Sequence, residues 1–170
     1  MTTTDKRLML LRNRMETEGI DLVALGPGPH MQWLLGFHPH ADERPCLICI
    51  SQNGAAFLMP SLNAAGSRAH TDLAFHEWSD ADGPEAAFAR LLDNLGVSDA
   101  GRVVLDETMR ADFSALVQDV LPAAKRQFTG STIGLLRMRK DLDEYALLKE
   151  NARIADAAMQ AGWAAMGAGM

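Results

Sequence analysis

Residues 46–59 read Cys46-Leu-Ile-Cys-Ile-Ser-Gln-Asn-Gly-Ala-Ala-Phe-Leu-Met59, two apolar runs on either side of Gln52-Asn53-Gly54. Asn-Gly between such runs is the strongest short-range hairpin signal, because both residues tolerate positive φ. Cys46 to Ser51 and Ala55 to Met59 are therefore predicted to pair as antiparallel strands. The other strand candidates of this chain alternate with helices, the pattern of α/β architecture, and the hairpin makes the sheet mixed instead of wholly parallel. The same run contains Cys46-Leu-Ile-Cys49, a spacing found in redox and zinc motifs. On a strand, residues three apart point to opposite faces with Cα atoms about 10 Å apart, beyond the roughly 7 Å limit for a disulfide. Two buried structural thiols are expected instead.

Towards the N-terminus, Thr4 or Asp5 is predicted to cap a helix whose Leu8, Leu11 and Met15 share a face, with Gly19 as its left-handed end. Ile20-Asp-Leu-Val-Ala-Leu25 reads as a strand broken by Gly26-Pro-Gly-Pro29. Pro29 suits the first turn of a short helix through Met31, Trp33 and Leu34, stopped by Gly36. An exposed loop, Phe37 to Pro45, leads into the hairpin. Beyond the hairpin the pattern predicts a helix from Pro60 to about Ala69, a strand over Leu73–Trp78, and a helix from Pro84 to Asn94 that buries Phe88, Leu91, Leu92 and Leu95. Then come a strand at Val103–Leu105, a helix from Met109 to Leu121 ended by Pro122, and an edge strand at Gln127–Thr129.

From Asp141 to Met166 one amphipathic helix is predicted, opened by a capping box of Asp141 and Glu144 and about 38 Å long at 1.5 Å per residue. Tyr145, Leu148, Ala152, Ala155, Met159, Trp163 and Met166 recur at steps of three or four along one stripe. Such a stripe expects a partner. The chain is accordingly divided into a first domain, residues 1–135, and a joint with a connector helix, residues 136–170, leading to a further domain.

Composition narrows the function classes. With 170 residues, 48% hydrophobic and 22% charged, the chain suits one globular domain plus the connector. Sixteen Lys and Arg against 22 Asp and Glu give a net charge of −6, with basic residues scattered except at Arg137, Arg139 and Lys140, which disfavours nucleic-acid binding. No stretch approaches the roughly 18 apolar residues of a membrane span, and no apolar leader follows Met1. A cytoplasmic protein is expected.

Gly26-Pro-Gly-Pro29 lies between strand and helix, the setting of a phosphate cradle, but Pro27 and Pro29 remove N–H donors and Met31 stands where a third glycine is needed. A rigid turn is the better reading. No H-E-x-x-H, G-x-S-x-G or Walker sequence occurs. The loop His38-Pro-His40-Ala-Asp42-Glu43-Arg44 gathers two imidazoles, two carboxylates and a guanidinium. It suits a metal site, a ligand-facing or interface loop, or plain solvation. His70 and His76 each read as a core or surface histidine. Asp106-Glu107 closes a strand, either at an α/β cleft or capping a helix after Thr108.

In order and spacing, Gly19-Ile-Asp-Leu-Val23, Met31-Gln-Trp-Leu-Leu-Gly-Phe37, Glu43-Arg44 before the hairpin, Trp78, Leu121-Pro122 and Leu136-Arg-Met-Arg-Lys140 leading to Glu144 resemble the creatinase/prolidase N-terminal domain. The likeness covers nearly the whole chain. Trp33-Leu-Leu-Gly-Phe37 is similar to the family's Tyr-Leu-Thr-Gly-Phe, and Leu136-Arg-Met-Arg-Lys140 to its Leu-Arg-x-Ile-Lys joint. The resemblance implies a three-layer α/β/α domain with a ribonuclease-H-like mixed sheet, followed by a long C-terminal connector helix. It also implies a homodimer in which this domain governs substrate access, with His38, His40 and Arg44 as the access candidates. No catalytic or metal-binding residue is assigned within the chain. Two divalent metals, manganese, cobalt or zinc, are expected in a following catalytic domain of an Xaa-Pro dipeptidase or aminopeptidase type. The substrate so implied is a proline-containing peptide or another small C–N compound. A creatinase-like hydrolase and a catalytically silent interaction module are the alternatives.

Overall fold

The computed structural model describes residues 2–169. The hairpin forms where the apolar runs place it. Strands β2 (Leu47–Ile50) and β3 (Ala55–Pro60) are antiparallel, with Leu47 opposite Leu58 and Ile50 opposite Ala55. Its turn works differently from the expectation, since neither Asn53 nor Gly54 adopts a left-handed φ. Ser51 N–H instead donates to the Gly54 carbonyl at 2.9 Å, and Asn53 N–H donates to Ser51 Oγ at 3.1 Å. Ser51 Oγ and Asn53 Nδ2 both donate to the Leu95 carbonyl, each at 3.1 Å. That carbonyl lies past the last turn of a helix, where acceptors lack intrahelical partners, so the hairpin turn caps its neighbour.

Helix α1 (Thr3–Glu18) precedes strand β1 (Leu22–Leu25), which helix α2 (Pro29–Leu35) follows. Thr2, not Thr4 or Asp5, caps α1. Its hydroxyl accepts from Asp5 N–H at 3.1 Å while the Asp5 carboxylate accepts from Thr2 N–H at 2.8 Å. The three-residue spacing of a capping box selects Thr2, and Asp5 closes the box from inside the helix. Gly19 (φ 62°) and Gly36 (φ 82°) end α1 and α2 in the left-handed region. β1 starts at Leu22 and not Ile20, because Ile20 N–H is still bonded to the Met15 carbonyl at 2.8 Å, completing the helix end.

After the hairpin come α3 (Ser61–Arg68), β4 (Ala74–Trp78), α4 (Glu85–Asn94), β5 (Arg102–Leu105), α5 (Ala111–Val120) and β6 (Lys125–Phe128). A 3₁₀ turn at Thr129–Ser131 and a short helix α6 (Ile133–Met138) follow, neither foreseen from the sequence. The six-stranded sheet runs β4-β3-β2-β1-β5-β6. β1 is antiparallel to β2 and parallel to β5, while β3–β4 and β5–β6 are parallel pairs. The sheet is mixed, as expected.

Side chains alternate across the strands with period two. Leu22, Ala24, Cys49 and Leu58 face Phe88 and Leu91 of α4 and Phe113 of α5. Val23, Leu25, Ile48 and Phe57 face Leu11 and Met15 of α1 and Met31 of α2 on the other side. Both faces are thus covered by helices, the three-layer arrangement. Cys46 and Cys49 are buried free thiols in opposite layers. Burial, followed by the charge of Asp42, pushes the Cys46 thiol up to about 12, and burial also pushes Cys49 up.

The chain forms two compact units, the larger ending at Leu136 and the smaller starting at Arg137. The smaller contains α7 (Leu142–Ala165), 24 residues long. Its capping box is the expected one: Glu144 N–H donates to Asp141 Oδ1 at 2.8 Å and Asp141 N–H to Glu144 Oε2 at 3.1 Å. No side chain of α7 is buried, and Tyr145, Leu148, Met159 and Trp163 are all exposed. No helix among the described residues is long and apolar enough to cross a membrane.

Candidate functional site

Strands β1, β5 and β6 are neighbours and mutually parallel, so their carboxyl ends share one edge of the sheet. In α/β sheets that edge is where ligands bind. Three polar segments arrive there. Gly26-Pro-Gly28 turns β1 into α2, which carries His30; β5 delivers Asp106 and Glu107; β6 delivers Thr129. Gly26 lets the segments approach closely, because a Cβ on it would lie 2.5 Å from Met109 Cβ. The Gly-Pro turn is therefore a packing device.

Asp106 is 1% exposed and His30 5%. Asp106 Oδ1 accepts from Thr108 N–H at 2.8 Å and from the Thr108 hydroxyl at 2.6 Å. Helix α5 starts only at Ala111, so Asp106 orders this local turn and does not cap the helix. Asp106 Oδ2 is buried and has no hydrogen-bond partner among the described residues. His30 Nε2 lies 4.0 Å from Asp106 Oδ1, 3.8 Å from Glu107 Oε1 and 3.3 Å from Thr129 Oγ1. The Thr129 hydroxyl donates to the Glu107 carboxylate at 2.7 Å, and Thr129 N–H does so at 3.1 Å. Burial pushes the Glu107 carboxyl up. The Thr129 hydroxyl, the backbone N–H groups of Glu107 and Thr129, and nearby His30 together outweigh that and hold it below its ordinary value. A cavity of about 490 Å³ opens beside this cluster, walled by Asp106, Glu107, Met109, Gln127 and Phe128 among others.

The access candidates lie elsewhere, on the segment between α2 and β2. His38 and His40 are exposed and line a cavity of about 340 Å³ with Phe37, Asp42, Asn63 and His70. Arg44 does not join them. Its guanidinium grips Asp80 through Nε at 3.0 Å and Nη2 at 2.9 Å, and reaches Glu43 at 3.0 Å. The hydrogen bond from Arg44 holds the Asp80 carboxyl below the ordinary carboxylate range. The loop is pinned at both ends and at Asp42. Phe37 stacks on His70 at 5.2 Å, Asn63 donates to Asp42 at 3.3 Å, and Trp78 Nε1 donates to the Pro45 carbonyl at 2.9 Å. His76 stands apart on β4, its pKa lowered by burial and then by Arg90.

His30 and Thr129 escaped the sequence reading, and Asp106 and Glu107 appeared there only as one alternative. The available signal was topological: had β1, β5 and β6 been recognised as parallel neighbours, the residues after their ends would have met on paper.

The family description Creatinase/Prolidase N-terminal domain matches residues 7–140. The chain is similar in structure to a dipeptidase of Pyrococcus horikoshii OT3, with 28% identity and a TM-score of 0.83, over 96% of this chain and 45% of that one. A prolidase from Thermococcus sibiricus gives 20% identity and a TM-score of 0.81 over 94% and 43% of the two chains. The creatinase/prolidase N-terminal domain of an X-Pro dipeptidase from Streptococcus pyogenes, solved by itself, gives 13% and 0.65 over 75% and 95%. The last two likenesses show the fold alone. The chain spans less than half the length of the first two proteins. The comparison with curated proteins returned no match. A family match over most of the sequence, on the three-layer fold that its motifs implied, means that the chain belongs to the creatinase/prolidase N-terminal domain family.

Proposed function

We propose that this chain is the non-catalytic N-terminal half of an Xaa-Pro dipeptidase-like C–N hydrolase, acting in a cytoplasmic homodimer where it shapes substrate access. Residues 1–135 form the access domain and 136–170 the joint and connector in this reading. The observation that carries it is the 28% identity to a dipeptidase over 96% of this chain, which accounts for only 45% of that protein. Paired divalent ions, manganese, cobalt or zinc, supply activated water in such a hydrolase, and their ligands lie outside this chain.

His38 and His40 present donors at the mouth of a cavity, on a segment held rigid at both ends. Rigid placement suits positioning, because little entropy is lost on contact with substrate. Arg44 can clamp a substrate carboxylate by exchanging it for Asp80, a like-for-like swap of partners. The test has two arms. The 170-residue chain, incubated with Xaa-Pro dipeptides and manganese or cobalt, is expected to show no turnover. In the full-length hydrolase, His38→Ala with Arg44→Ala is expected to raise KM more than it lowers kcat. Turnover by the chain alone sinks the non-catalytic assignment, and unchanged kinetics in a stable dimeric double mutant sink the access role.

A further inference from the structure

We propose that His30, Asp106 and Glu107 form a binding site for one divalent transition-metal ion, separate from the access loop. One donor atom from each residue lies within 4.8 Å of the other two. Ions of the zinc or manganese class hold N and O donors at about 2.0–2.2 Å, which places the donors roughly 3 to 4.4 Å from one another. The 3.8 and 4.0 Å separations from His30 Nε2 fall in that range, and the two carboxylates lie within 4.8 Å of each other, so a closing movement of a few tenths of an ångström at most brings all three donors into it. One imidazole with two carboxylates is the donor set such ions favour.

An independent observation comes from Asp106. Its carboxylate is almost wholly buried, Oδ1 is engaged by Thr108, and Oδ2 has no hydrogen-bond partner among the described residues. A buried carboxylate with one oxygen left in that condition is costly, and a cation held through Oδ1, the oxygen 4.0 Å from His30 Nε2, relieves the group by neutralising its charge. The outer contacts of a metal site are already in place. Thr108 fixes Asp106, and Thr129 fixes Glu107 through hydroxyl and N–H. Fixed orientation of this kind is what tunes ligands in known metal sites. The adjoining 490 Å³ cavity, which Asp106 and Glu107 line, supplies the entry path, and Glu107 is 43% exposed at its mouth. His30 would bind through Nε2 as the neutral ring with its proton on Nδ1, giving up its present contact with Thr129.

The competing arrangement is an imidazolium held between two carboxylates, which needs no ion. Titration of the tag-free, chelator-treated 170-residue chain with zinc or manganese chloride separates the two. Expected are saturable binding of one ion per chain, a rise in thermal midpoint, and movement of the His30 imidazole ¹⁵N resonances while those of His76 stay in place. Glu107→Gln keeps an acceptor for Thr129 and lies at the surface, so it should fold, yet it should weaken binding about tenfold or more, as should His30→Gln. Cobalt substitution should give a visible absorption band that both variants lose. Absence of saturable binding up to about 1 mM ion, or wild-type affinity in either variant, overturns the site.

Discussion

Cys46 and Cys49 sit three residues apart and in different cores, so each thiol is enclosed by hydrocarbon from its own side of the sheet. For Cys46 the consequence is a pKa near 12 against an ordinary 9.0. The folded state keeps its proton where the unfolded chain would release it. Its contribution to stability is therefore complete below about pH 9 and is lost as pH rises from there through about 12. Both thiols are expected to resist a thiol reagent at pH 8 in the native chain and to react in denaturant, which an absorbance assay reads directly; fast native reaction contradicts the burial. At the cluster, by contrast, residue types were a poor guide. His30 carries no motif, and Thr129 is an ordinary strand-end threonine in the sequence. Their significance depends on which strands are neighbours, and local pattern does not report parallel pairing between segments far apart in the chain.

Elements were far more legible. Apolar periodicity located the sheet strands and the main helices because burial on one or two faces leaves its mark on composition at fixed spacing. Ends were less so. Asn53-Gly54 marked the hairpin correctly, but the turn is held by Ser51 and Asn53 on the Leu95 carbonyl, a tertiary contact that no local rule contains. Helix α6 was missed because six residues, with Ile133 fully buried, are too few to show a period. The turn after β1 yields a prediction at this scale. Gly26→Ala drives a Cβ into Met109, and overpacking of this kind costs about 1–3 kcal/mol. Thermal melts should show that loss in Gly26→Ala, and in a Met109→Gly background, where the obstructing Cβ is gone, the same substitution should cost less. A neutral Gly26→Ala would mean that the turn is looser than its geometry.

Across the whole molecule, stability is unevenly distributed. The sheet buries its side chains on both faces, whereas α7 buries none along 24 residues. Local opening is cheapest where few contacts must break. Hydrogen exchange in the isolated chain should find the amides near Trp163 exchanging well before those of β1 and β2; equal protection in a dilute monomer would refute this. The sheet order has another consequence, for the sequence of events in folding. β2 and β3 meet through a short turn, while β1 must find β5 across most of the domain, Val23 against Val104. Closing a long loop before any contact rewards it makes distant pairing slow. The antiparallel half can thus assemble early, and the three strand ends that carry His30, Asp106 and Thr129 are brought together only when the parallel half docks, so a nascent or partly folded chain passes through its most exposed stage with that edge still unbuilt.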